Sequence, residues 1–220
     1  MNTTIFGKRR QGKSTLALAL AVAKYRRVIV WDPNDQLPLI KAVDPSELSF
    51  SFDPGHSQTG FTFARIGPFN TDEIEERFSE FAEALYQEWE ATPGGHMSVI
   101  VDESHLLQGP NWIHPELDRM VRRAPGDVHL IQTTHRIVDS TPTNRYHADN
   151  VFFFFAGDLE GERKMLARNF GEKTAIIVPT LKPFHALYWK RAPGGRIELE
   201  HWNDPAEWYI NLGNQNYARE

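Results

Sequence analysis

Gly7-Lys8-Arg9-Arg10-Gln11-Gly12-Lys13-Ser14 decides how this chain is read. The stretch fits G-x-x-x-x-G-K-[ST], the Walker A phosphate loop. Its glycines let the backbone curl so that successive N–H groups converge on phosphate oxygens. A helix must follow, because unpaired N–H groups and the dipole at its start favour an anion. Both flanks meet the requirement: Thr3–Phe6 upstream reads as a short strand, and Ser14–Tyr25 downstream as an Ala- and Leu-rich helix. Lys13 is expected to reach the β- and γ-phosphates of ATP, and Ser14 to set its hydroxyl on Mg2+. Gly7, Lys8, Arg9, Arg10, Gln11, Gly12 and Thr15 complete the expected nucleotide-binding set.

A second motif lies downstream. Ser98-Val99-Ile100-Val101 is a fully apolar strand that ends in Asp102-Glu103, and Asp102 follows Lys13 by 89 residues. An acid at the carboxyl end of a buried strand stands at the ligand edge of an open parallel sheet. Asp102 is expected to hold Mg2+, and Glu103 to polarise the attacking water as general base. Small-molecule P-loop kinases pass phosphate to a bound acceptor and have no need of such a glutamate. The pair therefore points to NTP hydrolysis.

The rest of the chain alternates strand and helix. Strands are expected at Arg27–Asp32, Phe61–Ile66, Val128–Thr133, Val151–Phe155 and Ala175–Val178. Helices are expected at Gln36–Val43, Asp72–Glu90, Leu117–Arg123 and Leu159–Phe170, with a polar loop over 44–60. His185–Lys190 and Arg196–Glu200 read as a hairpin around Pro193-Gly194-Gly195. The expected class is α/β: a P-loop NTPase domain of the RecA/ASCE type over 1–200, with a central, mostly parallel sheet, helices on both faces and a C-terminal β-hairpin. A tail follows over 201–220. The runs at 98–101 and 151–155 suit central strands covered on both faces.

Composition bounds the partners. The chain has 220 residues, no cysteine, 24 basic and 29 acidic residues, and a net charge of −5. No disulfide, thiol nucleophile or cysteine-ligated metal is possible. No apolar run approaches the ~20 residues of a membrane helix. Seven basic residues and no acid fall within 1–31, and eight acids against Arg77 alone within 72–90. The acidic run also carries a helical apolar stripe, Ile74, Phe78, Phe81, Ala82 and Leu85, so it reads as the wet face of a helix. Nine histidines show no ligand spacing.

Taken together, these motifs resemble the HerA–FtsK superfamily of P-loop motor ATPases. Val28-Ile29-Val30-Trp31-Asp32-Pro33 resembles that family's second strand. Arg123-Ala124-Pro125-Gly126 resembles its Arg-Ala-x-Gly segment, and Thr134-His135-Arg136 stands where Thr-Gln-Arg is common. The family's sensor glutamine falls on His135, with Gln132 three residues earlier, so either is a candidate to sense the γ-phosphate. A motor core that begins at its first strand looks most like the genome-packaging ATPases of tailless double-stranded DNA viruses. The resemblance implies double-stranded DNA as partner, a homo-oligomeric ring (pentamer or hexamer), a capsid or portal partner, and location in host cytoplasm or virion. The alternative is a Zot-like phage assembly or export ATPase acting on protein or single-stranded DNA. In such rings an arginine from one subunit completes its neighbour's site. Among Arg119, Arg122 and Arg123, Arg123 matches the family segment best. Arg136, Arg145 and Lys182 are the candidate DNA contacts.

Overall fold

A computed structural model describes residues 1–37, 62–91, 95–124, 126–155, 160–191 and 197–202 of the protein. The described strands are β1 (Asn2–Phe6), β2 (Arg27–Trp31), β3 (Thr62–Ile66), β4 (Met97–Val101), the short β5 (Gln108–Gly109) and β6 (Trp112–Ile113), β7 (Val128–Thr134), β8 (Asn150–Phe153), β9 (Ala186–Arg191) and β10 (Ile197–Trp202). The described helices are α1 (Lys13–Lys24), α2 (Ile74–Ala91), α3 (Pro115–Arg123), α4 (Pro142–His147), α5 (Glu160–Phe170) and α6 (Glu172–Ile177).

One sheet of eight strands organises the fold in the order β10-β9-β8-β1-β7-β4-β2-β3. From β8 to β3 every pairing is parallel, and β9 and β10 add an antiparallel edge. The α/β class and the C-terminal hairpin are as expected. Both β4 and β7 are buried along their whole length, so neither sequence alternates polar and apolar; β4 is almost wholly apolar, while β7 also buries His129, Gln132, Thr133 and Thr134. On one face, Leu16, Leu20 and Ala17 of α1 pack against Ile5, Val28, Val30, Ile100 and Ile131. On the other, the stripe Phe78, Phe81, Ala82 and Leu85 of α2 meets Trp31, Val99 and Leu130. The acidic run is thus largely the outer face of α2. Glu88 is an exception: it is buried and paired with Arg27.

One expectation needs correction. Ala175–Val178 is not a strand: α6 ends at Ile177 and a 3-10 turn runs over Val178–Thr180. A four-residue apolar run has no period of its own, and Gly171 starts a helix just before it. Strand β10 runs to a fully buried Trp202 that packs on Phe152 and Tyr188; the rest of the stretch expected as a tail lies outside the described residues. Apart from Gln36 and Leu37, the helix expected over Gln36–Val43 lies outside the described residues, as do the loop over 44–60 and the hairpin turn.

Candidate nucleotide-binding site

The phosphate loop leaves the carboxyl end of β1 and is tied to the strands on either side. Gly7 N–H donates to Thr134 O (3.2 Å) at the end of β7, and Lys8 N–H to Phe155 O (3.1 Å) just after β8. A side chain at position 7 would put its Cβ 2.6 Å from that of Phe154, so only glycine lets the loop pass this close. Gly12 caps α1 at φ 96°, a left-handed conformation that glycine adopts without strain. No acid lies in the first turn of α1, so its N-terminus keeps its positive end for an anion.

Lys13 is buried, and its ammonium donates to Lys8 O at 3.2 Å. Burial lowers its pKa, while Glu103 and Asp102 draw it back up. The Ser14 hydroxyl donates to the Asp102 carboxylate at 3.1 and 3.2 Å. The two residues expected at Mg2+ therefore stand together. Asp102 is fully buried, and burial pushes its pKa up to about 6 against the opposing hydrogen bonds of Thr133 and Ser14. A hydroxyl and a costly buried carboxylate form a hard oxygen pair that fits a magnesium ion.

Glu103 follows in the left-handed conformation (φ 53°), uncommon for a residue with a side chain. Its backbone N–H donates to Thr133 Oγ1 at 3.1 Å. His135 Nε2 lies 3.1 Å from Oε1 and 2.8 Å from Oε2 of Glu103, and His105 Nδ1 lies 3.3 Å from Oε2. Burial and the charges of Lys13 and Arg9 lower the His135 pKa to about 4, and burial lowers that of His105. Both rings are neutral at pH 7, so His135 serves as a neutral N–H donor to the carboxylate rather than as an ion-pair partner. Sequence spacing had kept these histidines apart; in the fold their ligand atoms and that of Glu103 lie within 4.8 Å of one another, a separation a divalent metal accepts.

Gln132 is turned away from this site. Its neighbour Thr133 points to Asp102, so Gln132, on the opposite face of β7, pairs instead with Asn144 (2.9 and 3.2 Å). Asn144 also donates to Gln108, and Gln108 to Ser104, making a buried chain of amides. Gln132→Ala is expected to cost about 1–3 kcal/mol of unfolding stability, measured by urea titration, because it strands the Asn144 amide. His135→Ala is expected to lower turnover with the smaller loss of stability. The reverse pattern would return the sensor role to Gln132.

The other arginines are sorted by the fold. Arg145 is buried, with its guanidinium on the carbonyls of Ile137 and Ser140, and Arg136 pairs with the buried Glu162 (2.7 Å). Arg145 is therefore not presented to solvent, whereas Arg136 stays partly exposed beside its ion pair. Lys182 is exposed. Arg123 is exposed at the end of α3, which leads into the amino end of β7, whereas the phosphate loop stands at the carboxyl ends of the strands. Arg123 does not join the site of its own chain.

A cleft of about 670 Å³ opens on the loop, lined by Gly12, Lys13, Ser14, Thr15, Glu103 and Phe184 among others. Asn34, Gln36 and Leu37 also line it, placed by the buried Asp32, which accepts the N–H groups of Gln36 and Leu37 at 2.8 Å each. That is the work of the Trp31-Asp32-Pro33 sequence.

The fold is shared with solved structures. The genome packaging NTPase B204 of Sulfolobus turreted icosahedral virus 2, in complex with AMPPCP, superposes with a TM-score of 0.67 at 19% identity, covering 90% of this chain and 95% of that one. This chain has the fold of that packaging NTPase. B204 of Sulfolobus turreted icosahedral virus, a DNA-packaging ATPase, gives a TM-score of 0.63 at 19% identity over 90% of this chain and 96% of that one. VirB4 of Thermoanaerobacter pseudethanolicus gives 0.59 at 12% identity over 94% and 90%. No protein-family model matches the chain, and no curated protein matches it. Among the described residues, no helix is long and apolar enough to cross a membrane.

Proposed function

We propose that the chain is an ATP-hydrolysing, Mg2+-dependent motor of the HerA–FtsK type that translocates double-stranded DNA in viral genome packaging. The observation that carries hydrolysis is Glu103, a buried carboxylate in a left-handed turn held by a neutral His135, beside Lys13 and Asp102. The loop N–H groups and Lys13 bind the phosphates. Ser14 and Asp102 hold the cation, which when bound supplies charge neutralisation at the phosphate oxygens. Glu103 accepts a proton from water as the water oxygen bonds to the γ-phosphorus and the bond to the ADP oxygen breaks. His135 orients that carboxylate through its N–H. The fold shared with B204, named for genome packaging, supports the biological role.

Comparing turnover with and without double-stranded DNA tests the motor reading. Several-fold stimulation supports DNA translocation. Stimulation by a capsid or membrane partner but not by DNA supports the assembly-ATPase alternative.

A ring accounts for a chain of net charge −5 acting on DNA, since a few basic loops facing a shared channel supply the phosphate contacts. Arg123, exposed and away from its own site, is the proposed trans-acting finger. Arg123→Ala is expected to leave ATP affinity nearly intact and to lower turnover about 10³-fold or more. Mixing it with Glu103→Gln should restore part of the activity, because some interfaces then pair an intact Arg123 with an intact Glu103. Full activity of Arg123→Ala alone at every protein concentration would leave Arg123 as a helix-end charge.

A further inference from the structure

We propose that Phe184 is the platform on which the base of the bound nucleotide stacks; this rests on the nucleotide-site reading above. Glu103 and Phe184 line the same cleft, with Gly12, Lys13, Ser14 and Thr15 of the phosphate loop also in its wall. Glu103 follows β4, which lies on one side of β1 in the sheet. Phe184 precedes β9, which lies on the other side, beyond β8. A nucleotide with its terminal phosphate at Glu103 and its phosphate chain on the loop therefore directs its nucleoside toward Phe184.

Two further features of Phe184 fit this role. The residue is 46% exposed, whereas most large apolar residues of the described fold are buried. Its backbone is left-handed (φ 64°), an outlier for a bulky aromatic, in a turn closed by His185 N–H to Lys182 O at 3.1 Å. Strain and exposure both disfavour the ring where it stands, and such strain collects at ligand sites. Tyr146 and Ile176 are more exposed but lie outside this cleft. Among the described lining residues Phe184 is the aromatic one, and every base offers a π-face to it. Aromatic stacking is tolerant of base identity, so ATP and GTP should depend on Phe184 alike.

Calorimetric binding of AMPPCP and of inorganic tripolyphosphate to the full chain tests this, with wild type, Phe184→Ala and Phe184→Trp. Phe184→Ala should weaken AMPPCP binding roughly 5- to 100-fold and leave tripolyphosphate binding unchanged. Phe184→Trp should retain AMPPCP binding, and its added indole fluorescence should be quenched by AMPPCP but not by tripolyphosphate. Unchanged AMPPCP affinity in Phe184→Ala overturns the proposal, and so does an equal loss for both ligands, which would mark damage to the phosphate loop. A wild type that binds AMPPCP no tighter than tripolyphosphate overturns the base platform and leaves the phosphate site standing. A wild type that binds neither overturns the nucleotide site itself.

Discussion

Lys13→Ala should abolish ATP turnover and cut nucleotide affinity by about 10²-fold or more. Lys13 is the loop lysine drawn toward both Asp102 and Glu103, where terminal phosphate charge must be met. Removing one partner of a buried charge pair costs about 3–5 kcal/mol, which sets that magnitude. The variant should remain folded. The Lys13 ammonium is buried and donates a hydrogen bond to the carbonyl of Lys8. Alanine removes that desolvation but also the counter-charge beside the buried Asp102 and Glu103, so the two effects oppose and the thermal midpoint should shift only modestly. Nucleotide binding by calorimetry and phosphate release are the two measurements. Wild-type turnover in a folded Lys13→Ala chain would remove the phosphate-loop reading altogether.

Glu103→Gln should bind ATP and hydrolyse it about 10²- to 10⁴-fold more slowly, the usual contribution of a general base. The amide matches the carboxylate in shape and can still accept the His135 N–H through its oxygen. It cannot take a proton from water. Glu103→Asp is the useful companion, since it keeps the charge but retracts the carboxylate from His135. It should fall between wild type and Glu103→Gln in single-turnover assays. Normal hydrolysis by Glu103→Gln would place the base elsewhere, and the strained turn at position 103 would then be structural.

Much of this site was legible in the residues because its parts are local. The phosphate loop depends on a strand, two glycines and a helix that are contiguous in sequence, so Gly7 to Ser14 could be read without knowing the fold. Asp102-Glu103 was legible for a similar reason: a short apolar run that ends in acids announces a buried strand and the carboxyl end at which a ligand is met. The acidic α2 was legible because its apolar stripe keeps the helical period. Arg145 misled because an arginine in a polar stretch resembles a free cation, while the turn of the chain before α4 folds Ser140 and Ile137 back onto it.

Where Gln132 and His135 point needed the fold. Strand β7 is buried on both faces, so no polar–apolar alternation records which residues face the loop. Only its register between β1 and β4 turns Thr133 toward Asp102 and Gln132 toward Asn144. The meeting of His105 and His135 at Glu103 likewise joins positions 30 or more residues apart, through the pairing of parallel strands. Sequence by itself determined the phosphate loop, the acids that answer it and the α/β class, because each rests on contiguous residues and their periodicity. Tertiary structure alone decided which polar groups surround Glu103 and which aromatic faces the cleft: side-chain direction on a doubly buried sheet is set by neighbouring strands, and the turn that carries Phe184 is brought to the loop by the order of the strands.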